Sequence, residues 1–169
     1  MGQSLDQLHV TNLTATNFTP PASCVTNAAV AAAAGIAATK LVHQFSLDYA
    51  QAPGSDIATA TLDLHIAQAT GEIVAFEAAI TGVAATGDRS VTVDLQKSTG
   101  GGAFATVLSA AITLDSGNAL RVLEAGTVST TTFADGDLLR VVVTQVAGST
   151  GTRPQGLAVT VTVRENPSP

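Results

Sequence analysis

Tryptophan is absent from this 169-residue chain, tyrosine occurs once, and aromatic residues make up 4%. Sites that hold sugars or nucleobases by ring stacking have little to be built from. Cys24 is the sole cysteine, so no intrachain disulfide can form. A small buried residue is its ordinary role; an interchain bond or a reactive thiol stays open beside it. Charged residues are 12% of the chain, the net charge is -6 and the pI is about 4.7. That balance repels phosphate backbones, and no basic cluster offsets it, so no nucleic-acid partner is expected. No apolar run is long enough to span a bilayer. The longest, Ala28 to Ala38, is mostly alanine and holds Gly35. Met1-Gly2-Gln3-Ser4-Leu5-Asp6 lacks a basic start and an apolar core, so no leader and no membrane partner are expected.

What is present is small and β-branched. Alanine, threonine and valine dominate, with many glycines and serines, and such residues favour pleated, half-buried surfaces and close backbone approach. A core domain of about 120 residues buries roughly two thirds of its unfolded surface, enough to fold without metal or disulfide.

The chain reads as three parts. Residues 1–24 form an extended arm in which Leu8, Val10, Leu13 and Phe18 stand among threonines and asparagines, and Pro20-Pro21 keeps it extended. Residues 25–41 read as one Ala-rich helix, capped by Thr26 or Asn27. Val30, Ala33, Ala37 and Leu41 make a narrow stripe along it, with Ile36 beside it and Val25 at its start. A helix this short is marginal alone. A stripe of small residues suits contact with helices of other copies; packing on its own domain is the alternative.

From residue 42 to 169 the apolar period changes to two. Strands are expected at Val42–Tyr49, Ile57–Ile66, Glu72–Ile80, Ser90–Lys97, Ala103–Ala110, Ala119–Leu123, Leu138–Val146 and Leu157–Arg164. Val91, Val93 and Leu95 should face a core, and so should Val159, Val161 and Val163. Turn chemistry separates the runs at Ala52-Pro53-Gly54-Ser55, Thr86-Gly87-Asp88, Gly100-Gly101-Gly102, Asp115-Ser116-Gly117-Asn118, Ala134-Asp135-Gly136-Asp137 and Gly148-Ser149-Thr150-Gly151. About eight short strands so spaced predict an all-β fold, an antiparallel β-sandwich of jelly-roll type.

Chemistry is thin. Asp63 and His65 should share a strand face, and His43 would complete a His-Asp-His set if its strand were adjacent, but the spacing is not that of a zinc motif. Glu72 and Glu77, five apart, should face opposite sides. Asp135-Gly136-Asp137 resembles a fragment of a calcium loop without its other ligands and reads as a turn. No nucleophile elbow or phosphate loop is present, so neither an enzyme nor a cofactor is expected.

The run Ser23-Cys24-Val25-Thr26-Asn27-Ala28-Ala29-Val30 through Gly35-Ile36-Ala37-Ala38-Thr39-Lys40-Leu41 resembles a segment of tailed-bacteriophage fibre and head-appendage proteins, where it joins a fibrous arm to a β-rich head. The threonine-rich Asn12–Thr19 stretch is similar to the short strands of such fibres, and Gly71–Glu165 is similar in pattern to β-sandwich domains of viral particle proteins. These proteins are commonly homotrimers. No long repetitive shaft is present, which suits a capsid decoration (cement) protein better than a long fibre. The resemblance thus implies a structural virion protein, made in the host cytoplasm and placed on the outer capsid surface. It would be a homotrimer that contacts the major capsid protein. Val25, Val30, Ala33, Ile36, Ala37 and Leu41 would form the oligomer interface, and Leu8, Val10, Leu13 and Phe18 the arm contacts. The alternative is a tail-fibre tip or adhesin-like glycan-binding module.

Overall fold

In a computed structural model of the chain, residues 42–166 are described. The expected arm and Ala-rich helix lie outside them. All ten regular elements among these residues are strands. They are β1 (His43–Asp56), β2 (Ala60–Ile66), β3 (Gly71–Val83), β4 (Ser90–Ser98) and β5 (Phe104–Thr106). The remainder are β6 (Ile112–Leu114), β7 (Glu124–Ala125), β8 (Thr132–Phe133), β9 (Leu138–Val146) and β10 (Gln155–Glu165).

Every strand pairing is antiparallel, in two sheets. One runs β1-β10-β3-β7, with β8 also on β3; the other runs β2-β9-β4-β5, with β6 also on β4. With β5 and β6 counted as one broken strand and β7 and β8 as another, these are the two interleaved four-strand sheets of a jelly roll. The fold is therefore the all-β sandwich that the alternation predicts.

The period-two pattern explains the core directly. Val91, Val93 and Leu95 on β4 face inward, as do Leu139, Val141 and Val143 on β9 and Leu157, Val159, Val161 and Val163 on β10, all essentially without exposure. Ile73, Phe76, Ala78 and Ile80 complete the layer from β3. Each such valine, leucine or isoleucine contributes about 1.5–3 kcal/mol by leaving water. Thr92, Asp94 and Gln96, and Thr160, Thr162 and Arg164, take the other face and stay partly solvated. There Arg140 donates twice to Gln96 (3.0 and 2.8 Å) and lies 3.6 Å over the Phe104 ring, while Arg164 meets Glu72 at 2.6 Å.

Four expectations need correcting. Ala52-Pro53-Gly54-Ser55 does not end β1: it is a bulge inside it, because Gln51 pairs with Leu157 and Asp56 with Gln155. The second strand consequently starts at Ala60, not Ile57. The bulge is accommodated by glycine on its neighbours. A Cβ on Gly82 would lie 1.8 Å from the Pro53 carbonyl oxygen, and Gly156 (φ +68°) would place one 2.5 Å from the Pro53 Cα. Ala119–Leu123 is a turn, not a strand; Arg121 there adopts φ 62°, and its N–H donates to the Ile80 carbonyl (2.8 Å). The strand expected over Ala103–Ala110 keeps only Phe104–Thr106, after which Val107 and Leu108 turn into the core and Ile112–Leu114 returns to β4. Finally, Glu72 and Glu77 share a face. Val163 pairs with Ile73 but Thr162 with Ala75, so Val74 is an extra residue that resets the alternation.

The two long sides of the sandwich are finished differently. On one, a Leu108–Val128 bridge joins the segments between the short strands, and the Val107 carbonyl accepts from Ser129 (2.8 Å) and Thr130 (3.1 Å) N–H groups. That side is closed. The other is formed by β1 and β2, neither of which has a second neighbour among the described residues.

Candidate functional site

The polar side chains inside the sandwich serve its ends. Asp137 is 2% exposed, and its Oδ2 accepts from the Ala134 N–H (3.0 Å) and from Lys97 Nζ (3.3 Å). Lys97 also donates to the Thr132 carbonyl at 2.8 Å, tying β4 to β8. Burial acts to raise the Asp137 pKa, but the Ala134 and Gly100 N–H groups and Lys97 together outweigh it and hold the carboxyl below its ordinary value. The Asp135-Gly136-Asp137 run is thus a turn that clamps Lys97. Among the described residues, no group of three or more His, Cys, Asp or Glu is placed to hold a metal ion.

Asp88 does the same service for two loops. It accepts the N–H groups of Ser149 (2.9 Å) and Thr150 (2.8 Å) and the Ser149 hydroxyl (3.1 Å). Those backbone bonds hold its pKa at about 2. A shallow groove of about 310 Å³ lies beside the β4–β5 hairpin, lined by Lys97, Thr99, Ala105 and Thr130 among others. Its one charged group, Lys97, is already engaged by Asp137 and Thr132.

His65 is separated from Asp63 by a bulge: Asp63 pairs with Arg140 and His65 with Leu139, which places them on opposite faces. The expected His-Asp pair on one face does not form. His65 instead spans the two sheets. Its Nε2 lies 2.8 Å from Glu165 Oε1, and its ring stands edge-on to Phe45, with centroids 5.5 Å apart.

His65 and Glu165 pin one end of the β1/β2 side. At the other end, Gln51 donates to the Ala58 carbonyl (3.0 Å) and to the Tyr49 hydroxyl (2.8 Å) and accepts the Ala58 N–H (2.7 Å). Between the pins, Phe45, Leu47 and Tyr49 of β1 pack on the core from one flank and remain half-buried, and Leu62 of β2 is 41% exposed. The two edges differ. β2 has seven residues and is bent by its bulge at Leu64. β1 keeps a regular register from His43 to Gln51, a stretch without proline or lysine in which Asp48 is the one acidic residue. Native edge strands are usually blunted by bulges, prolines or lysines, and β1 has none of these over that stretch. This long edge, with a half-covered apolar face beneath it, is the surface of the sandwich best suited to pairing with another chain. The sequence marks it as a strand; nothing in the alternation of 42–49 separates an edge strand from a central one.

The residues expected to make the oligomer interface, Val25, Val30, Ala33, Ile36, Ala37 and Leu41, lie outside the described residues, and so do the arm contacts Leu8, Val10, Leu13 and Phe18.

No protein-family model matches the chain, and no curated protein matches it. Among solved structures, a chain from a structure of infectious bursal disease virus, Gt strain, is similar at 13% identity with a TM-score of 0.29. The match covers 75% of this chain and 37% of that one, so the chain spans little more than a third of that neighbour's length.

Proposed function

We propose that the chain is a non-enzymatic structural protein of a virus particle, a decoration protein on the outer surface of a phage head. In this reading it forms a homotrimer against the major capsid protein. The Ala-rich segment 25–41 joins three copies through Val30, Ala33, Ile36, Ala37 and Leu41, with Val25 at its start. The arm 1–24 makes further contacts between subunits through Leu8, Val10, Leu13 and Phe18.

The observation that carries the reading is a valine-filled jelly roll whose β1 and β2 edges have one neighbour each among the described residues, preceded by a segment that resembles phage head-appendage arms. Jelly rolls are frequent in viral capsid and lectin domains, but fold alone does not set function, and the resemblance supplies the rest. Small residues along 25–41 permit close backbone approach, and many repeated contacts on a particle offset the cost of ordering an arm.

Quantitative mass spectrometry of purified particles from the source tests it. Near-stoichiometric copies relative to the major shell protein are the expected result. A few copies per particle would place the chain in a fibre or vertex appendage, and absence from particles would overturn the virion reading.

A further inference from the structure

We propose that the open edge of β1 is a docking site for the N-terminal segment Leu8–Phe18 of a second copy, which adds beside it as an extra strand; the inference rests on the homotrimer reading above. Three observations lead to it. First, Gln44–Gln51 is a regular stretch with one pairing partner, β10, so alternate N–H and C=O groups of the stretch have no ladder partner among the described residues. Each such pair of groups is a template for strand addition. Second, the side chains beneath that edge, Phe45, Leu47 and Tyr49, are half-buried and sit between the His65–Glu165 and Gln51–Ala58 pins. A strand laid beside β1 would bring apolar side chains over them. Third, the chain outside the described residues has the right composition and begins at the right place. Forty-one residues precede Val42 and run directly into β1.

Within that stretch, Leu8–Phe18 carries no Asp, Glu, Lys or Arg and sets Leu8, Val10, Leu13 and Phe18 among threonines and asparagines in imperfect alternation. Its uncharged character suits an edge whose one charge, Asp48, is already bonded to the Thr160 hydroxyl (2.8 Å). Residues 19–42 then connect the segment to β1; with 25–41 helical at about 1.5 Å per residue and the other seven extended at about 3.3 Å each, they span up to roughly 50 Å, enough to reach a neighbouring copy. The added strand would pair through main-chain bonds along the edge. Leu8 and Val10, two apart and so on one face, would supply the apolar cover, with Leu13 on the other face.

Amide hydrogen exchange on the full chain reads the edge residue by residue. The expected result is that both sets of alternate N–H groups in Gln44–Gln51 are protected. With Leu8→Asp, Val10→Asp and Leu13→Asp together, the outward set should exchange at least about 100-fold faster, while β9 and β10 amides keep their protection as the internal control. Light scattering on the same samples reports the assembly separately.

A second measurement names the donor. In a Cys24→Ser background, copies carrying Thr11→Cys are mixed with copies carrying Ser46→Cys and treated with a bismaleimide. A cross-link between the two kinds of chain is expected. A trimer whose outward amides exchange freely would overturn the inference and leave the homotrimer standing. A monomeric full chain would overturn the homotrimer. Protection that appears only after capsid particles are added, or no cross-link between the two kinds of chain while a doubly substituted Thr11→Cys/Ser46→Cys chain cross-links within itself, would give the edge to another occupant and overturn the inference.

Discussion

Replacing Asp137 by alanine tests the account of how the sandwich is closed at its Lys97 end. The substitution removes the acceptor of the Ala134 N–H (3.0 Å) and the counter-charge of Lys97 (3.3 Å) at a residue 2% exposed. Truncating one partner of a buried ion pair costs about 3–5 kcal/mol, mostly because the other charge is left uncompensated. Lys97 keeps the Thr132 carbonyl and retains 15% exposure, which lets it recruit water and places the cost near the lower bound, about 3 kcal/mol. Against a total stability of about 5–15 kcal/mol, that is a large loss. At a urea slope of about 1.5 kcal/mol per molar, it lowers the unfolding midpoint by about 2 M. Asp137→Asn retains an acceptor for Ala134 and should lose about half as much. The double variant Lys97→Met/Asp137→Ala should be more stable than the sum of the single losses predicts, with a coupling of about 1–2 kcal/mol. Circular dichroism through a urea titration at pH 7 gives all of these values. The pH dependence has a fixed sign. A carboxyl held below its ordinary pKa adds its full stabilisation above about pH 4 and surrenders it as pH falls through the lower folded value. The gap between the native chain and Asp137→Ala should therefore narrow only in acid. A single-variant loss under about 1 kcal/mol, or strict additivity in the double variant, would refute the reasoning.

Three further outcomes are expected. Gly156→Ala should destabilise by about 2 kcal/mol or more, since its φ of +68° disfavours a side chain and the new Cβ would meet Thr81 Oγ1 at 2.4 Å; thermal unfolding measures it. In an acid titration by NMR, the Ser149 and Thr150 amide signals should shift together with a midpoint of about 2, the Asp88 value, and Asp88→Asn should abolish the transition. Ile36→Asp should disrupt assembly by light scattering while the sandwich keeps its β-sheet circular dichroism, because a charge in a packed contact is costly.

The legible part of the fold was the part governed by neighbours in sequence. The faces of β4 and β10 followed from strict alternation of valine with polar residues, and their inward side chains are fully buried. The hairpin tip at Gly100-Gly101 followed from turn chemistry and has positive φ at both glycines. Where a strand gains or loses a residue against its partner, alternation misled. Val74, Leu64 and the Pro53 bulge each reset a face, and each depends on a partner far along the chain. The β1 edge was legible as a strand and illegible as an edge, for the same reason.

By itself the sequence determined that the described residues are all-β, which positions face a core, where most turns fall, and that Asp135-Gly136-Asp137 is a turn, because these depend on a local period and on the φ each residue tolerates. Only the tertiary structure decided the jelly-roll order, the pairing of His65 with Glu165 one hundred residues away, the clamp of Asp137 on Lys97, and which strands have one neighbour among the described residues. Those follow from which strands meet across the sheets, and burial of nearly interchangeable valine faces does not encode that choice in any short stretch of chain.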